Sequence, residues 1–166
     1  MTKRQCFYSF HYKQDGWRAG QVRNMGVLDG NRPASDNDWE TVKRGGEAAI
    51  KRWIDSQLKY RSCTVVLVGS ETAGRRWINY EIVKSWDAGM GVVGIYVHGL
   101  QDRYGNISAM GNNPFANITH GVSGRPLSNI VKCYNPSGQN SRQRYDWISR
   151  YLSDAVEEAI SIRGRN

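Results

Sequence analysis

Short apolar runs alternate with longer amphipathic segments along the chain. "CFYSF" (6–10), "CTVVLVG" (63–69), "GVVGIYVHG" (91–99) and "NIVKCY" (129–134) have the length and the β-branched or aromatic content of buried strands. Helix-like segments lie around 38–59, 74–89 and 141–162. The first opens on "SDNDWE", good capping chemistry, and carries Trp39, Val42, Ala49, Ile50, Trp53, Ile54 and Leu58 at helical spacing, with "KRGG" interrupting it. In the last, Trp147, Ile148, Tyr151, Leu152, Ala155, Val156 and Ile160 recur with a period of about 3.6, a stripe that should pack on a sheet.

Buried runs alternating with helices predict an α/β fold whose mostly parallel central sheet is covered by helices on both faces. Four clear strands and a possible fifth in the first third suggest a small flavodoxin-like domain, a single unit over 1–166. The segment 98–126 lacks periodicity and is dense in Gly and Asn. It reads as one long loop, and loops of that length are usually functional.

With 166 residues and 18.8 kDa, such a domain buries about two-thirds of its unfolded surface and needs no disulfide or metal staple. Mean hydropathy is −0.63. No apolar run approaches the ~18 residues of a membrane span and no signal-peptide pattern opens the chain, so a cytoplasmic protein is expected. Cys6, Cys63 and Cys133 each fall in a predicted strand, as reduced core thiols would. The formal net charge of +8 attracts polyanions, phosphate-bearing metabolites or acidic partners. Its lysines and arginines are scattered and no nucleic-acid-binding module is recognisable, so nucleic acid is not the expected partner.

The stretch "RRWINYEIVKSW" (75–86) poses the chemical question. On a helix over 74–89, Ile78, Ile82 and Trp86 form the core stripe, while Glu81 flanks it and shares a side with Trp77. Helical side chains lean toward the N-terminus of their helix, and this helix follows the strand at 63–69. Glu81 therefore leans toward the carboxyl edge of the sheet, where open α/β folds bind ligands. Ser9 to Tyr12, Ser70 to Trp77, and Asn112 to Phe115 should reach the same edge. Two readings stand at this point: a pocket carboxylate among amides and aromatic rings, or a surface glutamate paired with Lys84 one turn on.

Several chemistries are disfavoured. His11, His98 and His120 are far apart and the cysteines sit on strands, so no metal site is expected. No "GxSxG", "GxGxxG" or P-loop is present, and no aspartate ends a strand to accept phosphate.

Ser70, Trp77 and Glu81 resemble the glutamate-bearing helix of TIR domains: a Ser ending a strand, a Trp a few residues on, and a Glu four after the Trp. "CFYSFHYKQDGWRAGQVRN", "VLVGSETAGRRWINYEIVKS", "GIYVHGLQDRYGN" and "GNNPF" resemble more narrowly the ThsB-like TIR branch of the Thoeris anti-phage defence system, over about residues 1–118. The resemblance implies a flavodoxin-like TIR fold and cleavage of NAD, as substrate and not cofactor, at the nicotinamide–ribose bond. It implies a cyclic or modified ADP-ribose product that activates a separate effector, with a phage-derived trigger and homo-oligomerisation as further expectations. By position Glu81 matches the catalytic glutamate, Ser70 and Trp77 the rest of its motif, and Phe10, His11 and Asn113 fall in blocks that line the family's pocket. The first loop departs from the family's usual "SYS..D", reading "SFHYKQD". Because TIR-type domains also assemble with one another, a non-catalytic interaction module is the rival reading, and nucleic-acid binding through the positive charge a third.

Overall fold

The computed structural model describes residues 3–31, 41–121 and 123–166. The chain runs β1 (Gln5–Ser9), α1 (Tyr12–Asn24), β2 (Asp29–Gly30), α2 (Glu47–Leu58), β3 (Cys63–Val68), α3 (Arg76–Asp87), β4 (Gly91–Tyr96), β5 (Cys133–Tyr134) and α4 (Ser141–Gly164). Residues 41–44 are also helical, and a 3-10 turn at Leu127–Asn129 precedes β5.

Every residue of β3 and β4 is buried, which is why these strands read as unbroken apolar runs. Alternate side chains leave on opposite faces and meet different helices. Val65, Leu67, Val93 and Ile95 join Ala19 and Val22 of α1 and Ile148, Leu152 and Val156 of α4. Val66, Val68, Val92 and Tyr96 join Ile78, Ile82 and Trp86 of α3, while Phe7 of β1 packs with Ile50, Ile54 and Leu58 of α2. The sheet is therefore covered on both faces.

All strand pairs are parallel and their order is β2-β1-β3-β4-β5. From β1 the chain first adds a strand on one side and then returns to build on the other. The connections thus diverge between β1 and β3, leaving a crevice at their carboxyl ends, the switch point where flavodoxin-like sheets bind ligands. Ser9 closes β1 there, in register with Val66 of β3.

Two differences from the sequence expectations have local causes. The segment 38–59 is split: Gly46 takes φ +85° between residues 41–44 and α2, which only glycine adopts easily. Trp39 and the start of that segment lie outside the described residues. The expected strand at 129–134 contracts to Cys133–Tyr134, because Val131 and Leu127 instead plug the core from an irregular segment. The possible fifth strand is β2, two residues long. Helix α1, which periodicity did not mark, buries Asp15, Arg18, Ala19 and Val22, so half of its inward face is charged.

Candidate active site

Glu81 lies in the second turn of α3 and is 8% exposed. Its Oε1 accepts a 2.8 Å hydrogen bond from the Ser9 hydroxyl, itself 1% exposed. The surface reading of Glu81 is thereby excluded: the carboxylate is turned inward, to the carboxyl end of β1. The backbone of Glu81 is anchored as well. Ser85 Oγ donates to the Glu81 carbonyl at 2.6 Å and lies 2.6 Å from Thr64 Oγ1 of β3, tying that turn of the helix to the strand.

Taking a carboxyl group out of water favours its neutral form, and burial pushes Glu81 up to about 8, against the lowering effect of the Ser9 bond. At neutral pH Glu81 is therefore mostly protonated in the protein alone. A cation placed beside it would shift that balance toward the carboxylate.

Two loops frame the carboxylate. His11 occupies the N-cap position of α1 without a side-chain capping bond, its Nδ1 buried and without a hydrogen-bond partner. Burial, and then the nearby Arg75 guanidinium, hold its imidazole below the ordinary range, so it is neutral at pH 7. On the other side the β3–α3 turn is pinned by Gly69 N–H donating to Thr72 Oγ1 at 2.8 Å. Ser70 receives a long 3.5 Å contact from Gln14 Nε2 of α1, which bridges the two sides.

The remaining expected site residues sit as follows. Phe10 is half-buried against the α1/α4 core, its ring stacked on Tyr12 with centroids 6.4 Å apart. Trp77 packs in the α2–α3 seam, edge-on to Tyr80 at 5.8 Å and with the Arg76 guanidinium 4.8 Å over its ring. Asn113 turns its side chain inward to accept from Phe115 N–H at 2.9 Å. Phe115 is fully buried in the α3-side core and so supplies core volume rather than a free stacking ring. The structure thus brings Ser9, Glu81, His11 and Ser70 to one edge, while Phe10 and Trp77 meet the flanking cores. Topology places Ser9 at this edge, but nothing in the sequence announces its bond to Glu81.

A parallel 2-1-3-4-5 sheet with a buried glutamate at the β1/β3 switch point defines a flavodoxin-like, TIR-type domain. Residues 7–102 match the family described as Thoeris protein ThsB, TIR-like domain. A protein of Bacillus cereus (strain MSX-D12) named "Putative cyclic ADP-D-ribose synthase ThsB1" is 42% identical over 120 residues, covering 69% of this chain. The match spans 62% of that relative's length. The chain belongs to the ThsB TIR-like family.

Proposed function

We propose that this protein cleaves NAD at the nicotinamide–ribose bond in bacterial anti-phage defence. It converts the substrate into a cyclic or otherwise modified ADP-ribose that activates a separate effector. The observation that carries the reading is Glu81, buried at the switch-point crevice and held by Ser9. Family membership and the name borne by the relative support it.

One carboxylate suffices for this chemistry. Ordinary glycosidases need an acid to protonate the leaving oxygen and a second carboxylate as base or nucleophile. Nicotinamide leaves from a pyridinium nitrogen that already carries the positive charge. The C1′–N bond breaks with its electron pair going to that nitrogen, and a neutral ring departs without receiving a proton. What remains is an oxocarbenium-like ribose, which an adjacent anion shielded from water stabilises by several kcal/mol. Glu81, ionised as the cationic ring enters, is that anion, and its second oxygen accepts from ribose hydroxyls to hold the sugar. Capture by an atom of the same nucleotide gives a cyclic product, and capture by water gives ADP-ribose. Water exclusion favours the former. His11, Ser70 and Asn113 are the proposed pocket residues, with Phe10 and Trp77 supporting its walls. A phage-derived trigger and self-assembly are proposed as the controls that keep an NAD-consuming activity off in healthy cells.

The test is mass spectrometry of small molecules from cells expressing wild-type or Glu81→Gln protein, with and without phage. A Glu81-dependent ADP-ribose species with matching NAD loss is the expected result. Its absence from cells holding folded, abundant protein would overturn the enzyme reading in favour of the assembly module.

A further inference from the structure

The most unusual side chains outside the glutamate site are a buried ion pair on α1. Arg18 is 1% exposed and Asp15 fully buried, with Arg18 Nη1 donating to Asp15 Oδ1 at 3.0 Å. A buried pair of this kind stabilises a fold little better than apolar residues of similar volume would. Filling the space under α1 therefore does not account for it.

What the pair reaches does. Arg18 Nε donates to the Leu100 carbonyl at 2.7 Å and Nη2 to the Asn106 carbonyl at 2.9 Å, with a weaker 3.4 Å contact from Nη1 to Gln14 O. One rigid guanidinium fork thus grips two points of the loop that leads to Asn113, a geometry lysine does not reproduce. Asp15 faces the other way, toward the end of β3. Its Oδ2 accepts no hydrogen bond, and a Cβ placed on Gly69 would lie 2.0 Å from it. On the far side of the same strand end, a Cβ on Gly111 would lie 2.2 Å from the Gly69 carbonyl oxygen. Helix α1, the exit of β3 and the loop are therefore stacked without room for a methyl group at either contact.

We propose that Asp15 and Arg18 form a positioning strut: they set the separation between the β3 exit at Gly69–Ser70 and the 100–113 loop, and so the width of the crevice that receives NAD. This deepens the NAD reading and rests on it for the identity of the ligand. The strut touches no substrate and acts through the loop.

Two variants test it in the Glu81→Gln background, which permits binding without turnover. Arg18→Lys keeps a cation beside Asp15 but loses the fork to Leu100 and Asn106. Gly111→Ala leaves Arg18 intact and forces the loop away from Gly69. NAD affinity is measured by calorimetric titration, and protection of the 100–113 amides by hydrogen exchange. We expect Arg18→Lys to lose protection across 100–106, and the folded molecules of both variants to bind NAD on the order of ten- to a hundred-fold more weakly, a loss larger than any fall in unfolding temperature accounts for. Unchanged affinity and protection in folded variants would overturn the strut. So would a fall in stability alone, with the folded molecules binding normally. If Arg18→Lys does not fold, Gly111→Ala decides. Failure of the parent to bind NAD would overturn the ligand assignment, while hydrogen exchange still reports whether Arg18 holds the loop.

Discussion

At the scale of single residues, the proposed chemistry turns on the protonation of Glu81. Its folded value of about 8 lies above its ordinary value of 4.5, so over that interval the folded protein holds a proton that the unfolded chain has lost. Stability from this group is intact below pH 4.5 and is lost as pH rises toward 8 and beyond. Glu81→Gln removes the ionisation penalty. Thermal melts should show the variant more stable than wild type at pH 8.5, by on the order of a few kcal/mol, with the gap closing toward pH 5. Activity runs the other way. If the carboxylate is the working form, kcat/KM for NAD should climb through about pH 8 in the free enzyme, and Glu81→Gln should abolish turnover at every pH. Ser9 sets where that rise falls. Its hydroxyl stabilises the carboxylate, so Ser9→Ala should move the pH–rate curve alkaline by about one to two pH units, since a hydrogen bond to a charged group is worth about 1.5–3 kcal/mol. A curve that does not move would show that the Ser9 bond favours neither protonation state.

The elements around that residue differ in how readably the chain encodes them. The strands β3 and β4 and the helices α3 and α4 were legible because burial of apolar surface leaves a periodic trace, and Glu81 was placed at the right edge by the direction side chains lean on a helix. Helix α1 left no such trace. Two of its four buried positions are Asp15 and Arg18, types that read as exposed, and their burial depends on carbonyls 82 and 88 residues further along the chain. No local window contains those partners. Ser9 was hidden for the same reason, its acceptor lying 72 residues away. Trp77 shows the limit from the other side: the sequence placed it near Glu81, whereas the fold also assigns it to the α2–α3 seam. Trp77→Ala should therefore cost about 3 kcal/mol of stability in chemical denaturation. It should also lower activity, because it loosens the helix that carries Glu81. At the far end of the chain Asn140 caps α4, its Oδ1 accepting from Gln143 N–H at 2.9 Å. Asn140→Ala should cost about 1 kcal/mol and leave NAD turnover unchanged, a control that separates global stability from the site.

Across the whole molecule the relevant quantity is the field of its +8 net charge. NAD carries an anionic pyrophosphate, and a positive surface raises the local concentration of anions and speeds their arrival. Arg75, whose charge His11 feels, stands at the N-terminus of α3, so part of that field falls at the edge where the proposed substrate would bind. Such attraction is screened over a Debye length of about 10 Å at 0.1 M salt and about 3 Å at 1 M. The buried Ser9–Glu81 pair lies out of reach of that screening. KM for NAD should therefore rise with ionic strength while kcat stays nearly constant, and Arg75→Ala should raise KM at low salt and flatten its salt dependence. Steady-state kinetics across a salt series checks both. The same series separates the positive charge as an aid to a small anion from the charge as a nucleic-acid surface. Binding to a polyanion releases many counterions, and affinity then falls by orders of magnitude over a few-fold change in salt. A shallow dependence confined to KM fits a metabolite drawn to one edge of the sheet, whereas a steep loss of affinity for duplex or single strands would make the scattered arginines the binding surface.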